Sequence, residues 1–384
     1  MIPYARQSID DADLAAVVEV LRSEYLTQGP TVPRFERAVA QRCGARFAVA
    51  ACNATAALHL ACLALGVGPG DRVWTSPNSF VASANCALYC GAEIDFVDID
   101  PRTYALSTQA LRAKLERAER AGEIPKVVIA VDFAGQPCDA AGIAALRDRY
   151  GFRIIEDAAH AIGALYRGEP VGNGRYADVT VFSFHPVKII TTAEGGMALS
   201  NDAELAGRMA LLRSHGVTRD AARMEERSHD PWEYEQVELG FNYRMTEVEA
   251  ALGLAQLARI ETFLERRRAL AARYDRDLAG MPLVLPYQIP DARSAYHLYP
   301  IRVGPAARID RRGLYGALRE RGIVTNVHYI PIHTQPYYRA LGFAPGAFPV
   351  AEAYYREALS LPLYYGLTDE QQSEVVAAVA DALG

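Results

Sequence analysis

Lysine is nearly missing from this 384-residue chain: of its 40 basic residues only Lys114, Lys126 and Lys188 are lysines. Arginine stays protonated in a protein and cannot attack a carbonyl, whereas a desolvated lysine can. Any amine chemistry therefore falls to one of three residues. Cysteine is sparse as well. Cys43, Cys52, Cys62, Cys86, Cys90 and Cys138 form no C-x-x-C pair and no His/Cys spacing suited to zinc, so no metal site is expected and the thiols read as reduced and buried. No G-x-G-x-x-G follows the early strands, which sets aside a nicotinamide enzyme. A concentrated basic face is lacking too, and the formal net charge is −6; nucleic acid is not an expected partner. The first residues, "MIPYARQSIDDADL", have neither the basic start nor the apolar core of a signal peptide, which points to the cytoplasm. One uncharged run, 47–68, has the length of a membrane span. Its bulk is alanine, and Asn53, Thr55 and His59 interrupt it, so it reads as strand, turn and helix, and no membrane association is expected.

What is present is alternation. The spacing of Leu14, Val17, Val18 and Leu21 predicts an amphipathic helix over 8–24 with Ser8 or Asp10 as cap, and a second helix covers 31–44. Strand patterns "FAVAAC", "DRVWTSP", "EIDFVDID", "KVVIAVDF", "RIIEDAA" and "DVTVFSF" then alternate with helical ones. That order specifies an α/β fold with a mainly parallel, doubly wound sheet. A polar stretch at 217–235 reads as a mobile loop, and residues 245–278 as one long helix or two linked ones. The remainder reads as a smaller α+β unit: strand "HLYPIRV", a helix near 310–322, strand "VTNVHYI", a loop rich in proline and tyrosine, and a last helix opened by the Thr368-x-x-Gln371 capping box. The expected division is a large domain at 1–258, including the N-terminal segment, and a small C-terminal domain at 259–384.

Lys188 follows "DVTVFSF" at the carboxyl end of a strand, where ligands sit in open α/β sheets. Lys114 and Lys126 read as ordinary solvated lysines. A lysine that forms Schiff bases serves carbonyl substrates or pyridoxal phosphate, and the latter needs a carboxylate for its pyridinium nitrogen. Asp157, at the end of "RIIED", lies at the same sheet edge. The turn "CNATAAL" enters a helix, so Ala54 and Thr55 are candidate phosphate donors, with Ser183 adding a hydroxyl. Phe80 in "PNSFVAS" is placed to stack on a ring, although an aromatic there also suits plain core.

The spacing Thr55, Phe80, Asp157-x-x-His160, Ser183-x-x-x-x-Lys188 and "GFNYRMTE" resembles the DegT-type sugar aminotransferases of the aspartate aminotransferase superfamily, fold type I. The likeness runs from "IPYARQSI" to "SLPLYYGLTDEQ". It implies a homodimer with shared sites and pyridoxal 5'-phosphate held as an internal aldimine at Lys188. It also implies Asp157 on the ring nitrogen, His160 near the ring hydroxyl, and Asn242 of the partner subunit on the phosphate. His328 and Tyr329 would line the sugar-nucleotide pocket. Tyr4, Arg6, His185 and Arg244 are further substrate candidates, Arg6 for the diphosphate and Arg244 for a glutamate carboxylate. "SFHPVKIITTAEGG", "DFAGQPCD", "LRSHGVTRD" and "VHYIPIHTQPYY" are most similar to the branch serving pseudaminic acid synthesis. That branch uses L-glutamate, releasing 2-oxoglutarate, to aminate C4 of a UDP-4-keto-6-deoxy-N-acetylhexosamine, with pyridoxamine 5'-phosphate between the half-reactions. The product would be UDP-4-amino-4,6-dideoxy-N-acetyl-β-L-altrosamine. Three rivals remain: amination of another nucleotide-linked keto-deoxy sugar, a dehydratase, and a cofactor-binding sensor without turnover. Lys188 speaks against the dehydratase, which resembling proteins build with histidine at that position; His185 lies three residues too early.

Overall fold

The computed structural model describes residues 1–224, 230 and 232–384. In chain order the first strands are β1 (Phe47–Ala51), β2 (Arg72–Thr75), β3 (Glu93–Phe96), β4 (Val127–Val131) and β5 (Arg153–Asp157). A short hairpin of β6 (Leu165–Tyr166) and β7 (Glu169–Pro170) precedes β8 (Val179–Ser183) and β9 (Gly196–Ser200). Seven of these form one sheet in the order β1-β9-β8-β5-β4-β2-β3. Pairing is parallel from β8 to β3, and β9 alone runs antiparallel to both its neighbours. Every residue of β4, β8 and β9 is buried, as the continuous apolar runs of a sheet covered on both faces require. Ala54–Ala64 and Ala82–Tyr89 cover one face; Thr108–Ala121 and Ala140–Tyr150 pack into the core on the other.

Beyond the sheet, β10 (Val217–Thr218) pairs with β11 (Glu235–Gln236). Of the polar stretch expected to be a mobile loop, residues 225–229 and 231 lie outside the described residues. The C-terminal unit holds β12 (Leu283–Val284), β13 (Ala292–Arg293), β14 (Tyr299–Val303) and β15 (Ala358–Leu361). β12, β14 and β15 make a small antiparallel sheet, and β13 reaches back to β6. Helices Arg311–Glu320 and Asp369–Leu383 close over that sheet, so that Leu314, Leu318, Val375 and Val379 join Tyr299 and Ile301 in a separate core. Each such side chain contributes about 1.5–3 kcal/mol on burial. Ile2 belongs to this core and bridges Ile323, which ties the N-terminal segment to the C-terminal unit and sets Tyr4 and Arg6 on their course.

Several expectations need correction. The first helix spans Asp11–Leu21 and is capped by Asp10, whose carboxylate takes the amides of Ala12 and Asp13; Ser8 is not the cap. Its apolar stripe does not face the core of this chain: Leu14 is 56 % and Leu21 55 % exposed. Residues 245–278 need no correction: of the two forms expected there, the structure has the two linked helices, Glu247–Ala258 and Ile260–Asp277, broken at Arg259. "VTNVHYI" is not a strand. It meets β15 only through the Asn326–Ser360 bridge, because its side chains are consumed by site contacts rather than by a ladder. Lys114 is not solvated: it lies over the Trp74 ring, bonds the Phe96 carbonyl at 2.6 Å and pairs with Asp95. Lys126 pairs with Asp71 at 2.8 Å. Cys52 and Cys90 are only half-buried, unlike the other four thiols.

Candidate active site

β5 and β8 are parallel neighbours, with Asp157 in register with Val181, so Asp157 and the residues following Ser183 arrive at one sheet edge. The chain then folds back on itself. Thr192 N–H donates to the Phe184 carbonyl, Phe184 N–H to the Gly195 carbonyl, and Lys188 N–H to the His185 carbonyl, all at 2.9 Å. The loop carrying Lys188 is thereby held by its own backbone. Burial drives the Lys188 amine down from the ordinary 10.5 to about 8, against the opposing pull of the Asp157 charge. No carboxylate makes a direct ion pair with it among the described residues.

Asp157 is buried, and burial raises its carboxyl above the usual range. Ser83 donates to Asp157 Oδ2 at 2.6 Å, and the Ala159 amide to Oδ1 at 3.2 Å. Ser79 and Ser83 hydroxyls meet at 2.6 Å, making a hydroxyl chain into the carboxylate. Sequence reasoning missed both serines; their i, i+4 spacing just after "SP" was the available signal. A buried carboxylate with two donors and no cation in contact is poised for a positive ring nitrogen.

His160 packs beside it. Its Nδ1 accepts the Ala134 amide at 3.3 Å, which leaves the proton on Nε2 to donate to the Tyr329 hydroxyl oxygen at 3.2 Å. Burial, with Lys188 and His328 nearby, holds His160 neutral, well below the ordinary histidine value. His297, missed from the sequence, lies 4.3 Å from the His160 ring. Gly135 makes this approach possible: at φ +95°, a Cβ would fall 2.8 Å from the His297 amide and 2.9 Å from the His160 carbonyl oxygen. His328 Nδ1 meets Ser360 Oγ at 2.8 Å and Nε2 meets the Asn326 amide at 3.3 Å; burial lowers its pKa to about 3. Tyr4 packs against the His328 ring at 5.7 Å. The Phe80 ring lies 6.4 Å from Tyr329 and is 60 % exposed, so it is not core.

The opposite end of the cleft is backbone. Asn53 caps helix Ala54–Ala64 by accepting the Ala56 amide at 2.8 Å, leaving the Ala54 and Thr55 amides unused by the helix. β9 passes so close that a Cβ on Gly196 would sit 2.5 Å from the Ala54 nitrogen. Ser183 is buried nearby at the end of β8, and His185 is exposed beyond it. Arg6 lines a small pocket with Lys188, Gln256 and the buried Arg267. Asn242 is exposed and bridges Ser214; Arg244, half-buried, follows on the same segment. Neither has a hydrogen bond or ion pair to Lys188 or Asp157 among the described residues.

A desolvated lysine, a buried carboxylate without a cation, a neutral histidine and a helix start with spare amides fit the aldehyde, ring nitrogen, ring hydroxyl and phosphate of pyridoxal phosphate. Among the described residues no group of three or more His, Cys, Asp or Glu is placed to hold a metal. No described helix is long and apolar enough to cross a membrane.

The DegT/DnrJ/EryC1/StrS aminotransferase family model matches residues 7–380. The spore coat polysaccharide biosynthesis protein SpsC of Bacillus subtilis is 38 % identical over 384 residues, covering 99 % of this chain and 96 % of that protein. Helicobacter pylori PseC, an aminotransferase of pseudaminic acid biosynthesis, superposes with TM-score 0.90 at 32 % identity, over 100 % of this chain and 99 % of that one. The sugar aminotransferase Spr1654 of Streptococcus pneumoniae, in its pyridoxamine phosphate form, gives the same TM-score, identity and coverage, and it is also solved in its pyridoxal phosphate form. The chain belongs to the DegT/DnrJ/EryC1/StrS aminotransferase family, as a pyridoxal-phosphate-dependent sugar aminotransferase of fold type I.

Proposed function

We propose that this enzyme transfers the amino group of L-glutamate to C4 of a UDP-4-keto-6-deoxy-N-acetylhexosamine, giving UDP-4-amino-4,6-dideoxy-N-acetyl-β-L-altrosamine for pseudaminic acid synthesis. The transfer takes place in the cytoplasm, in a homodimer with shared sites, and the large and small domains divide after residue 258. The full-length likeness to PseC supports the substrate. The desolvated Lys188 amine facing buried Asp157 supports the chemistry.

Pyridoxal phosphate, when bound, supplies an electron sink and a temporary carrier for the amino group. Lys188 holds the cofactor aldehyde at rest. Once released, Nζ takes the proton from the glutamate α-carbon and later returns one to C4 of the sugar. An amine whose pKa is about 8 can both accept and donate near neutral pH. Asp157 keeps the ring nitrogen protonated, held in place by Ser83 and the Ala159 amide. His160 orients the ring hydroxyl and Tyr329 together. Ala54, Thr55 and Ser183 hold the phosphate, completed by Asn242 of the partner subunit. Phe80 covers the ring, while Tyr4, Arg6, His185, His328 and Tyr329 surround the sugar nucleotide. Arg244 receives the glutamate carboxylate.

The test is spectroscopic. Glutamate should convert the visible absorption of bound pyridoxal phosphate to that of the amine form, and one member of a panel of UDP-4-keto-6-deoxy sugars should restore it. Restoration by a differently configured or differently linked keto sugar would replace the substrate. SpsC, named for spore coat polysaccharide biosynthesis, favours keeping such sugars in the panel. A spectrum indifferent to glutamate would mean another amino donor, and indifference to every amino donor would point to a sensor without turnover.

A further inference from the structure

Outside the cofactor cleft, one pocket carries an excess of positive charge. It has a volume of about 200 Å³ and lies where the end of helix Thr31–Cys43, helix Ile260–Asp277, the β6–β7 hairpin and β13 meet. Arg42, Arg268 and Arg293 line it with a single carboxylate, Glu261. Two larger clefts are balanced by comparison. Arg72, Lys114 and Arg117 share one with Glu93, Asp95 and Glu123, and Arg46 and Arg147 share the other with Asp178 and Asp202.

Arginines mostly stand in water without a ligand, and that account suffices for Arg293 taken alone, which is exposed and has no hydrogen bond or ion pair among the described residues. It does not account for the other two. Arg42 gives Nη2 to Glu261 at 2.6 Å, while its Nε is buried with no partner. Arg268 is half-buried and donates Nε to the Ser294 carbonyl at 3.0 Å and Nη2 to the Gly163 carbonyl at 3.1 Å, with no carboxylate in ion-pair contact among the described residues. We propose that this pocket binds a phosphate dianion, either inorganic phosphate or the phosphate group of a small monoester, which joins β13 to both helices.

Guanidinium groups gathered in one partly desolvated pocket repel each other, and an anion among them replaces that repulsion with charge-assisted hydrogen bonds. The strain is visible at Arg268, which burial and then the Arg293 and Arg42 charges hold below the ordinary arginine value. Phosphate suits the arrangement because the three arginines come from three separate elements. A tetrahedral dianion has an oxygen for each, whereas a planar carboxylate serves two. An ammonium-bearing ligand is disfavoured, since Arg42 already holds Glu261 and Arg268 already holds both carbonyls. β13 pairs with β6 over only two residues, Ala292 with Tyr166 and Arg293 with Leu165. An anion held by Arg293 therefore reinforces a short contact between the C-terminal unit and the rest of the chain, and its binding should raise thermal stability.

The test uses the full-length protein loaded with pyridoxal phosphate, so that the cofactor's own phosphate fills the catalytic site, with ionic strength held constant by chloride. Calorimetric titration with inorganic phosphate, and separately with methyl phosphate, should each show one saturable site per chain, and the tighter of the two names the form of the ligand. Tm should rise as the site fills. Arg293→Gln removes a charge that the fold does not use, so its Tm without phosphate should match wild type while its affinity for phosphate falls at least ~10-fold. Arg293→Lys, which keeps the charge but not the fork of donors, should lose less. None of these readouts involves turnover, so they stand apart from the substrate proposed above. No saturable site at constant ionic strength, equal affinity in wild type and Arg293→Gln, or tighter binding of malonate than of phosphate overturns the assignment.

Discussion

At the level of single residues, the Lys188 amine makes the sharpest prediction because its cost and its use are the same physical fact. In the unfolded chain it keeps its proton up to the ordinary 10.5, in the folded chain only to about 8. Between those values the unfolded state binds the extra proton, so stability rises with pH across that window, and below about 8 the whole desolvation cost is present. Lys188→Met should therefore stabilise the cofactor-free protein at pH 7. The gain is at most about 3 kcal/mol, and about half that once water at the partly accessible side chain is allowed for. It should fade toward pH 10.5, and the variant should show no visible cofactor band. Thermal unfolding of both proteins at pH 7 and 10 checks this; a variant less stable at pH 7 would mean that the ammonium has a compensating partner. His160 makes a milder case. A glutamine there can still accept the Ala134 amide and donate to Tyr329, so His160→Gln should keep kcat/KM within about 10-fold, whereas His160→Leu should lose more by stranding both partners. Similar losses in steady-state rates for the two variants would refute a hydrogen-bonding role.

Elements set where those residues stand, and here glycine matters more than any side chain. β9 can run beside the start of helix Ala54–Ala64 only because Gly196 has no Cβ; one added there would meet the backbone of Asn53 and Ala54 at 2.5 Å, and backbone cannot swing aside. Gly196→Ala should cost about 2–4 kcal/mol and weaken cofactor retention, read as a lower Tm and a raised Kd for pyridoxal phosphate. Retention unchanged alongside a lower Tm would separate β9 from the phosphate end. Most of this scaffold was legible beforehand: strands β1 to β5 and β8 announced themselves as apolar runs between helical periods, and Asp157 and Lys188 followed from their strand ends. β9 was not, because "GMALS" is short and fully buried, and its reversal is a property of pairing rather than of composition. Nor was Ser83 legible as a support for Asp157, since Asp157 and Ser83 lie 74 residues apart. "VTNVHYI" misled because alternating side chains can serve two sides of a cleft as readily as two faces of a sheet.

For the molecule as a whole, the misread first helix becomes informative. Leu14, Val18, Leu21, Tyr25 and Leu26 are all exposed at one end of the chain, each more than 40 %, and an exposed apolar run of that kind marks a contact with another protein. A second copy of this chain is the occupant that the shared-site reading requires, and Asn242 lets that be tested without a structure of the dimer. Asn242→Ala and Lys188→Ala should each be inactive alone. If Asn242 completes the partner's site, subunits of the two variants mixed under reversible dissociation form heterodimers in which one site carries both lesions and the other carries neither. Activity should then return, approaching one quarter of wild type when half the subunits pair as heterodimers with one working site each. If Asn242 serves its own subunit, every site in the mixture keeps one lesion and no activity returns at any ratio. Leu14→Asp with Val18→Asp adds the converse arm: a monomer by light scattering that retained full turnover would break the link between assembly and catalysis.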